Sequence, residues 1–295
     1  MEWIEAKSIL QRVQGDGQKW FDIMYNMNLY KGCSHGCIYC DSRSDCYQID
    51  NFPKVRGKAQ ALAILEQELR CKQRKGVIGL GAMSDSYNPM EAEQHLTRDA
   101  LALIARYGFG LSVETKSDLI VRDIDYLQRI SANHSAIIKL TITTADDDLA
   151  QRIEQGAPSS SRRLQALGEL RQAGLYAGVL MMPILPWVND APEAICRLVQ
   201  LAHEQDAQFI YPMWGLTLRD RQRWYFYEQL DRLFPGLRQK YQAYFGSQYV
   251  CISPKSSALQ ALFEEQCRRW QIRWKMADII AGYRRSPGTR QLELF

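Results

Sequence analysis

Gly32-Cys33-Ser34-His35-Gly36-Cys37-Ile38-Tyr39-Cys40 is the stretch around which the rest of the chain is read. Its three cysteines stand at C-x3-C-x2-C spacing, with a glycine directly before the first and the second. Thiolates on so short a loop can each reach a different iron of one cubane cluster, for which cysteine sulfur is the usual ligand. The glycines admit positive φ and let the backbone wrap closely. A fourth iron is left without a protein ligand, and an open coordination position is where a metal site performs chemistry. The competing readings are a zinc knuckle and a closed ferredoxin-type cluster, with His35 and Cys46 as spare ligands nearby. Zinc sites usually pair two C-x2-C or C/H units at longer separation. Only Cys37 and Cys40 form such a unit here.

The surrounding composition is that of an ordinary globular protein. At 295 residues, with 46% hydrophobic and 24% charged residues, the chain can bury a sizeable core, and α/β barrels often run this long as one domain. Met1-Glu2-Trp3-Ile4-Glu5 lacks the basic and apolar regions of a signal peptide, and no apolar run approaches a membrane span. Eight cysteines in that setting are expected as reduced thiols in the cytoplasm. Charge is uneven: residues 219–295 carry 14 Lys and Arg against 7 Asp and Glu, while the remainder is slightly acidic. Trp214, Trp224, Tyr225, Phe226, Tyr227, Trp270 and Trp274 are interleaved with those cations. Cations for phosphates and rings for bases are what a nucleic-acid surface needs. Aromatics at helical spacing also serve as ordinary core.

Short apolar runs at residues 77–80, 110–114, 136–143, 177–182 and 208–213 read as strands. Helical patterns separate them: Leu62, Leu65 and Leu69 share one face, as do Leu96, Ala100, Leu103, Ile104 and Tyr107. Alternation of this kind implies parallel βαβ units. With a further strand ending at Tyr30, directly before the cysteine loop, six strands result. They predict an α/β fold, a partial (β/α)6 TIM-type barrel over residues 1–215, followed by a basic, helical extension over residues 216–295. Active sites of such barrels lie at the C-terminal ends of the strands. Polar segments stand at those ends: Gly81-Ala82-Met83-Ser84-Asp85-Ser86-Tyr87-Asn88-Pro89, Glu114-Thr115-Lys116-Ser117, and Thr141-Ile142-Thr143.

The cysteine motif, with Tyr39 before its last member, resembles the signature of the radical S-adenosylmethionine (SAM) enzymes. Asp85-x-Tyr87-x-Pro89, Thr115-Lys116-Ser117 and Met182-Pro183-Ile184-Leu185-Pro186 further resemble the spore photoproduct lyase branch, the DNA repair photolyase-like proteins. The likeness spans nearly the whole chain. It implies that Cys33, Cys37 and Cys40 hold a [4Fe–4S] cluster whose open iron binds SAM. One-electron reduction then cleaves SAM to a deoxyadenosyl radical, with DNA as the leading substrate. By the same likeness Ser84, Asp85, Lys116, Thr141 and Arg163 are the cofactor-binding candidates, Lys116 through a charge-assisted bond to the SAM carboxylate. Tyr39 takes the position linked to hydrogen transfer in the lyase. A reductase or a flavodoxin or ferredoxin is implied as electron donor.

Two departures matter. Spore photoproduct lyase has a cysteine after the second strand that is thought to return a hydrogen atom to the repaired thymine, and Ala82 occupies that position here. Cys46, nearest in sequence to the cluster loop, is the candidate substitute donor. Asp41 stands where the branch often has tyrosine. Other radical SAM chemistry, on RNA, a peptide or a metabolite, remains an alternative, because one barrel serves many substrates. So does a non-catalytic metal protein that binds nucleic acid. The chain ends in Gln291-Leu292-Glu293-Leu294-Phe295 after a turn-rich, charged stretch. Gln291, Leu292, Leu294 and Phe295 resemble the peptide by which bacterial repair and replication proteins dock on the DNA sliding clamp.

Overall fold

The computed structural model describes residues 2–14 and 20–284. Six strands build the wall of a partial barrel: β1 (Ile23–Met27), β2 (Val77–Leu80), β3 (Gly110–Thr115), β4 (Ala136–Thr141), β5 (Ala177–Met181) and β6 (Ile210–Pro212). They lie side by side in chain order, each parallel to the next, and Leu10–Arg12 borders β1 as an antiparallel edge. The near-continuous apolar character of β2, β4 and β5 follows from burial on both faces, as parallel strands require. The fold is the expected α/β partial barrel with a helical C-terminal extension.

Five crossover helices cover the outside: α1 (Ala61–Cys71), α2 (Leu96–Tyr107), α3 (Ile124–Asn133), α4 (Ser160–Gln172) and α5 (Pro192–Glu204). Leu65 and Leu69 of α1, and Ala100 and Ile104 of α2, are fully buried, and Leu96 of α2 nearly so. Each such Leu or Ile contributes about 1.5–3 kcal/mol by leaving water. Helix α2 stops at Gly108, whose positive φ of 72° lets its amide close back on the Ile104 carbonyl.

The strand expected to end at Tyr30 ends at Met27 instead. Tyr30–Lys31 pairs antiparallel with Arg56–Lys58, in a separate small sheet with Glu2–Ile4. Tyr30 keeps an apolar, buried ring, so the pattern continues, but its backbone pairs with Gly57 of the side sheet and its hydroxyl donates to Glu91 at 2.6 Å. The cysteine loop therefore starts from this side sheet.

The C-terminal extension has four helices, α6 (Asp220–Leu233), α7 (Leu237–Phe245), α8 (Ser256–Arg269) and α9 (Met276–Tyr283), and a two-stranded ribbon of Gly215–Thr217 with Val250–Ile252. It returns to the barrel at both ends. Helix α6 packs on the turns after the cysteine loop, and α8 packs on α5. From α9, Ile279 and Tyr283 join Phe21, Ile137 and Phe209 in a cluster that closes the lower end of the barrel, where the Tyr283 hydroxyl donates to the Phe21 carbonyl at 2.6 Å. No helix of the described residues is long and apolar enough to cross a membrane.

Candidate active site

The cysteine loop leaves the side sheet through Gly32, at φ 87°. A side chain there would strike the carbonyl oxygens of Lys54 and, at 2.8 Å, Phe52, so only glycine fits. The next amide, of Cys33, donates to that Phe52 carbonyl at 2.9 Å. The loop then lies along the segment after β4. Ile38 donates to the Ile153 carbonyl at 2.9 Å, Cys37 bridges Glu154, and Gly156 donates to the His35 carbonyl at 2.8 Å.

Two buried polar assemblies pin it there. In the first, His35 Nδ1 lies 3.3 Å from Asp85 Oδ2, with both side chains buried. Burial opposes a charge on His35, but Asp85 and Cys33 outweigh it and push its pKa up to about 10. Asp85 is held at about 2: burial would raise it, but the His35 charge, the Lys116 amide and the Thr115 hydroxyl win. Cys33 is lowered, because its hydrogen bond to His35 overcomes the cost of burial. Asp85 has no oxygen to spare for a cofactor. Oδ1 accepts from Tyr87 N at 2.9 Å and Thr115 Oγ1 at 2.7 Å, and Oδ2 accepts from Lys116 N at 2.8 Å as well as facing His35. The contact with SAM expected of Asp85 is replaced by a brace between the cysteine loop, the loop after β2 and the end of β3.

In the second assembly the Tyr39 hydroxyl donates to Glu154 Oε1, Thr143 Oγ1 donates to the same oxygen at 3.2 Å, and Arg163 Nη2 donates to Oε2 at 2.6 Å. Burial would raise the Glu154 carboxyl, but the Arg163 and Lys116 charges hold it below its usual value. Arg163 also donates through Nη1 to the Thr141 carbonyl at 2.7 Å and is fully buried. Its guanidinium is spent inside the protein, so it braces the end of β4 instead of reaching a ligand. Tyr39, expected as a hydrogen relay, is likewise engaged: burial and the Glu154 charge raise its pKa well above the ordinary value. Nothing in the residues around Glu154 marks it in the sequence, because its partners come from three separate segments.

Between the two assemblies the Lys116 side chain lies beside Cys37 and Cys40, 5.5 Å from the Tyr39 ring. Burial disfavours its charge, but Cys37 and Glu154 raise its pKa above the usual lysine value. Burial pushes the Cys37 and Cys40 thiols up, so iron binding must release their protons. The donor set fits a cluster. No three His, Cys, Asp or Glu side chains among the described residues converge on a single ion, as is natural for ligands that each reach a different iron. The Ser84 hydroxyl is buried without a partner, an acceptor or donor left for a bound molecule. Thr141, at the end of β4, completes the rim.

Cys46 does not join this group. It sits exposed on the turn Asp45–Tyr47, where its sulfur lies 3.2 Å from Ser44 Oγ, whose proton is donated to Asp220 of α6 at 2.8 Å. Cys46 is not among the residues lining the barrel cavity onto which Ala82 opens. It is not placed as the substitute hydrogen donor. Gln291, Leu292, Leu294 and Phe295 lie outside the described residues.

Similarity to known proteins agrees with this geometry. An uncharacterized protein of Mycobacterium tuberculosis is 29% identical over 286 residues, covering 95% of this chain and 79% of its own. Another, from Methanocaldococcus jannaschii, is 33% identical over 187 residues, covering 63% of this chain and 68% of its own. Among solved structures, spore photoproduct lyase complexed with dinucleoside spore photoproduct superposes at a TM-score of 0.67 with 16% identity, over 91% of this chain and 79% of that one. The radical SAM methyltransferase TsrM from Kitasatospora setae, with tryptophan and a SAM analog bound, gives 0.56 with 12% identity, over 82% of this chain and 51% of that one. The radical SAM superfamily model matches residues 27–199, from the end of β1 through most of α5. The chain therefore belongs to the radical SAM superfamily, whose members use a [4Fe–4S] cluster and S-adenosylmethionine.

Proposed function

We propose that this radical SAM enzyme acts on DNA, by spore photoproduct lyase-like repair or a related modification. Cys33, Cys37 and Cys40 hold the cluster. Lys116 fixes the SAM carboxylate and the Ser84 and Thr141 hydroxyls line its site, while Asp85, Glu154 and Arg163 position the loops that carry them. The bound cluster supplies the electron that cleaves SAM, and the radical chemistry belongs to the cofactor. The protein's own work is to hold both in register and keep water out.

The observation that carries the DNA reading is the match to spore photoproduct lyase across 91% of the chain. The surface beside the cluster loop supports it. Trp224 is 61% exposed and Tyr249 46% exposed, and the Arg219 guanidinium lies 5.5 Å from the rings of both Tyr47 and Tyr249. Rings and cations arranged this way suit stacked bases and backbone phosphates. The other aromatics of that stretch serve the core: Phe226 and Tyr227 are buried, and Trp270 stacks on His203 at 4.3 Å. Gln291, Leu292, Leu294 and Phe295 supply a sliding-clamp peptide that raises the enzyme's concentration on DNA. A reductase, flavodoxin or ferredoxin provides the electron.

Anaerobic incubation with SAM, a reductant and irradiated DNA, followed by product analysis, tests the proposal. The expected result is deoxyadenosine formation together with a changed base. SAM cleavage with every irradiated and unirradiated DNA base intact would move the enzyme to the second reading, an RNA, peptide or metabolite substrate, the last of which the fold match to tryptophan-bound TsrM favours.

A further inference from the structure

Below the rim of the barrel lies a cavity of about 180 Å³, with an apolar wall of Val13, Trp20, Ile23 and Leu80 and with Gly79 and Ala82 leaving it open. Four polar side chains converge on it: Asn26, Ser112, Glu114 and Lys139. Their capacity is largely unspent. Lys139 is 1% exposed and donates to Glu114 at 3.2 Å, using one of its three donors, and its nitrogen otherwise faces the Phe21 ring at 4.5 Å. The Ser112 hydroxyl is buried without a partner. The Asn26 side chain is exposed toward the open lumen. Gly79 is needed for the shape, since a Cβ there would come within 2.9 Å of Ile23 and 3.1 Å of the Asn26 amide oxygen.

An ion pair whose lysine is fully buried and whose glutamate is one-fifth exposed does not explain itself as a stabilising device. Taking the lysine charge and most of the carboxylate from water costs free energy that their attraction does not fully return unless further hydrogen bonds complete them, and an apolar pair of equal size is usually at least as stable. From the lumen, the pair presents a donor and an acceptor side by side. That arrangement is complementary to a ring edge carrying an adjacent acceptor and N–H, which is the hydrogen-bonding edge of a nucleobase. The volume, below the ~300–1,000 Å³ of pockets for drug-sized ligands, suits a single ring.

We propose that this cavity receives the target base, its edge read by Lys139 and Glu114 and its face lying on the apolar wall. This rests on the DNA reading and deepens it. A base can reach the lumen only after leaving its stack, as enzymes that do chemistry on bases require. The adenine of SAM offers the same edge chemistry, but Lys116 and Thr141 stand two residues further along β3 and β4 than Glu114 and Lys139. That places the cofactor-binding rim roughly 7 Å above the pair. Ala82 lines the same cavity, so the position that lacks a hydrogen donor faces the bound base.

The test is equilibrium binding of single-stranded oligothymidylate, and of the same strand with N3-methylthymine, to the cluster-loaded protein with SAM present. N3-methylation removes the N–H while leaving the strand's phosphates unchanged, so it should weaken binding roughly tenfold or more. The double variant Glu114→Leu/Lys139→Met, which replaces the pair by apolar groups of similar size, should bind both strands equally and bind SAM as the parent does. Retained discrimination in the double variant, or lost SAM affinity with the discrimination intact, overturns the assignment. Equal binding of both strands by the parent also overturns it while leaving the DNA reading standing, and this arm decides the matter even if the double variant does not fold. No oligonucleotide binding by the parent removes both.

Discussion

The two ends of the barrel lumen are built from the same strands and behave as opposites. At the lower end Phe21, Ile23, Ile137, Phe209, Ile279 and Tyr283 pack into an apolar plug. At the upper end Asp85, His35, Glu154 and Arg163 are packed at comparable depth, with Lys116 partly buried between them. Strand β4 shows the gradient within one element, with Ile137 in the plug, Lys139 in the cavity and Thr141 at the rim. The plug gains stability from burial alone, whereas each charge at the rim is tolerable only because a partner was brought to it from another segment. The lower end therefore contributes stability and the upper end geometry.

That contrast can be broken, and the largest effects are expected at the rim. Substituting Cys33, Cys37 or Cys40 by Ala should abolish iron and sulfide binding together with SAM cleavage, while Cys46→Ala keeps full iron content; colorimetric iron analysis of the purified variants decides it. Loss of iron in Cys46→Ala would put that residue among the ligands and close the site. At the plug, Phe209→Ala should cost about 3–5 kcal/mol of unfolding free energy with SAM affinity unchanged, measured by denaturant titration beside calorimetric binding. A large loss of SAM affinity there would mean that the two ends are not separable.

Glu154→Gln crosses the division. It leaves the buried Arg163 charge without its partner, so it should cost about 3 kcal/mol in stability and also lower iron loading, because Tyr39 and the cysteine loop lose their anchor. Unchanged loading at full destabilisation would make the Glu154 assembly purely structural. Lys116→Met should weaken SAM binding by about one to two orders of magnitude, the worth of a charge-assisted hydrogen bond, without loss of iron. Smallest in stability is Ala82→Cys, which adds one sulfur at an exposed position. It should leave unfolding within about 0.5 kcal/mol and, on the DNA reading, shift the product mixture toward clean thymine. An unaltered mixture would mean that hydrogen comes from elsewhere.

The superfamily's cysteine motif was legible because its chemistry is local: three cysteines within eight residues need only the loop between them, and Gly32 is required by that loop's own path. The strand–helix alternation was legible for the same reason, since burial imposes its period on each segment separately. The end of the first strand was not, because Leu29 and Tyr30 remain buried after the chain has left the barrel, and burial does not say in which sheet. Asp85 and Arg163 were recognisable as polar residues at strand ends, but not as braces. Whether a carboxylate or guanidinium faces a ligand or a neighbour depends on who else arrives, here His35, Thr115 and Glu154. The Glu114–Lys139 pair joins adjacent strands 25 residues apart in the chain. By itself the sequence determined the barrel class and the superfamily, both set by short-range pattern. Only the tertiary structure decided which buried charges meet, because an ion pair is a property of two segments and is encoded in neither.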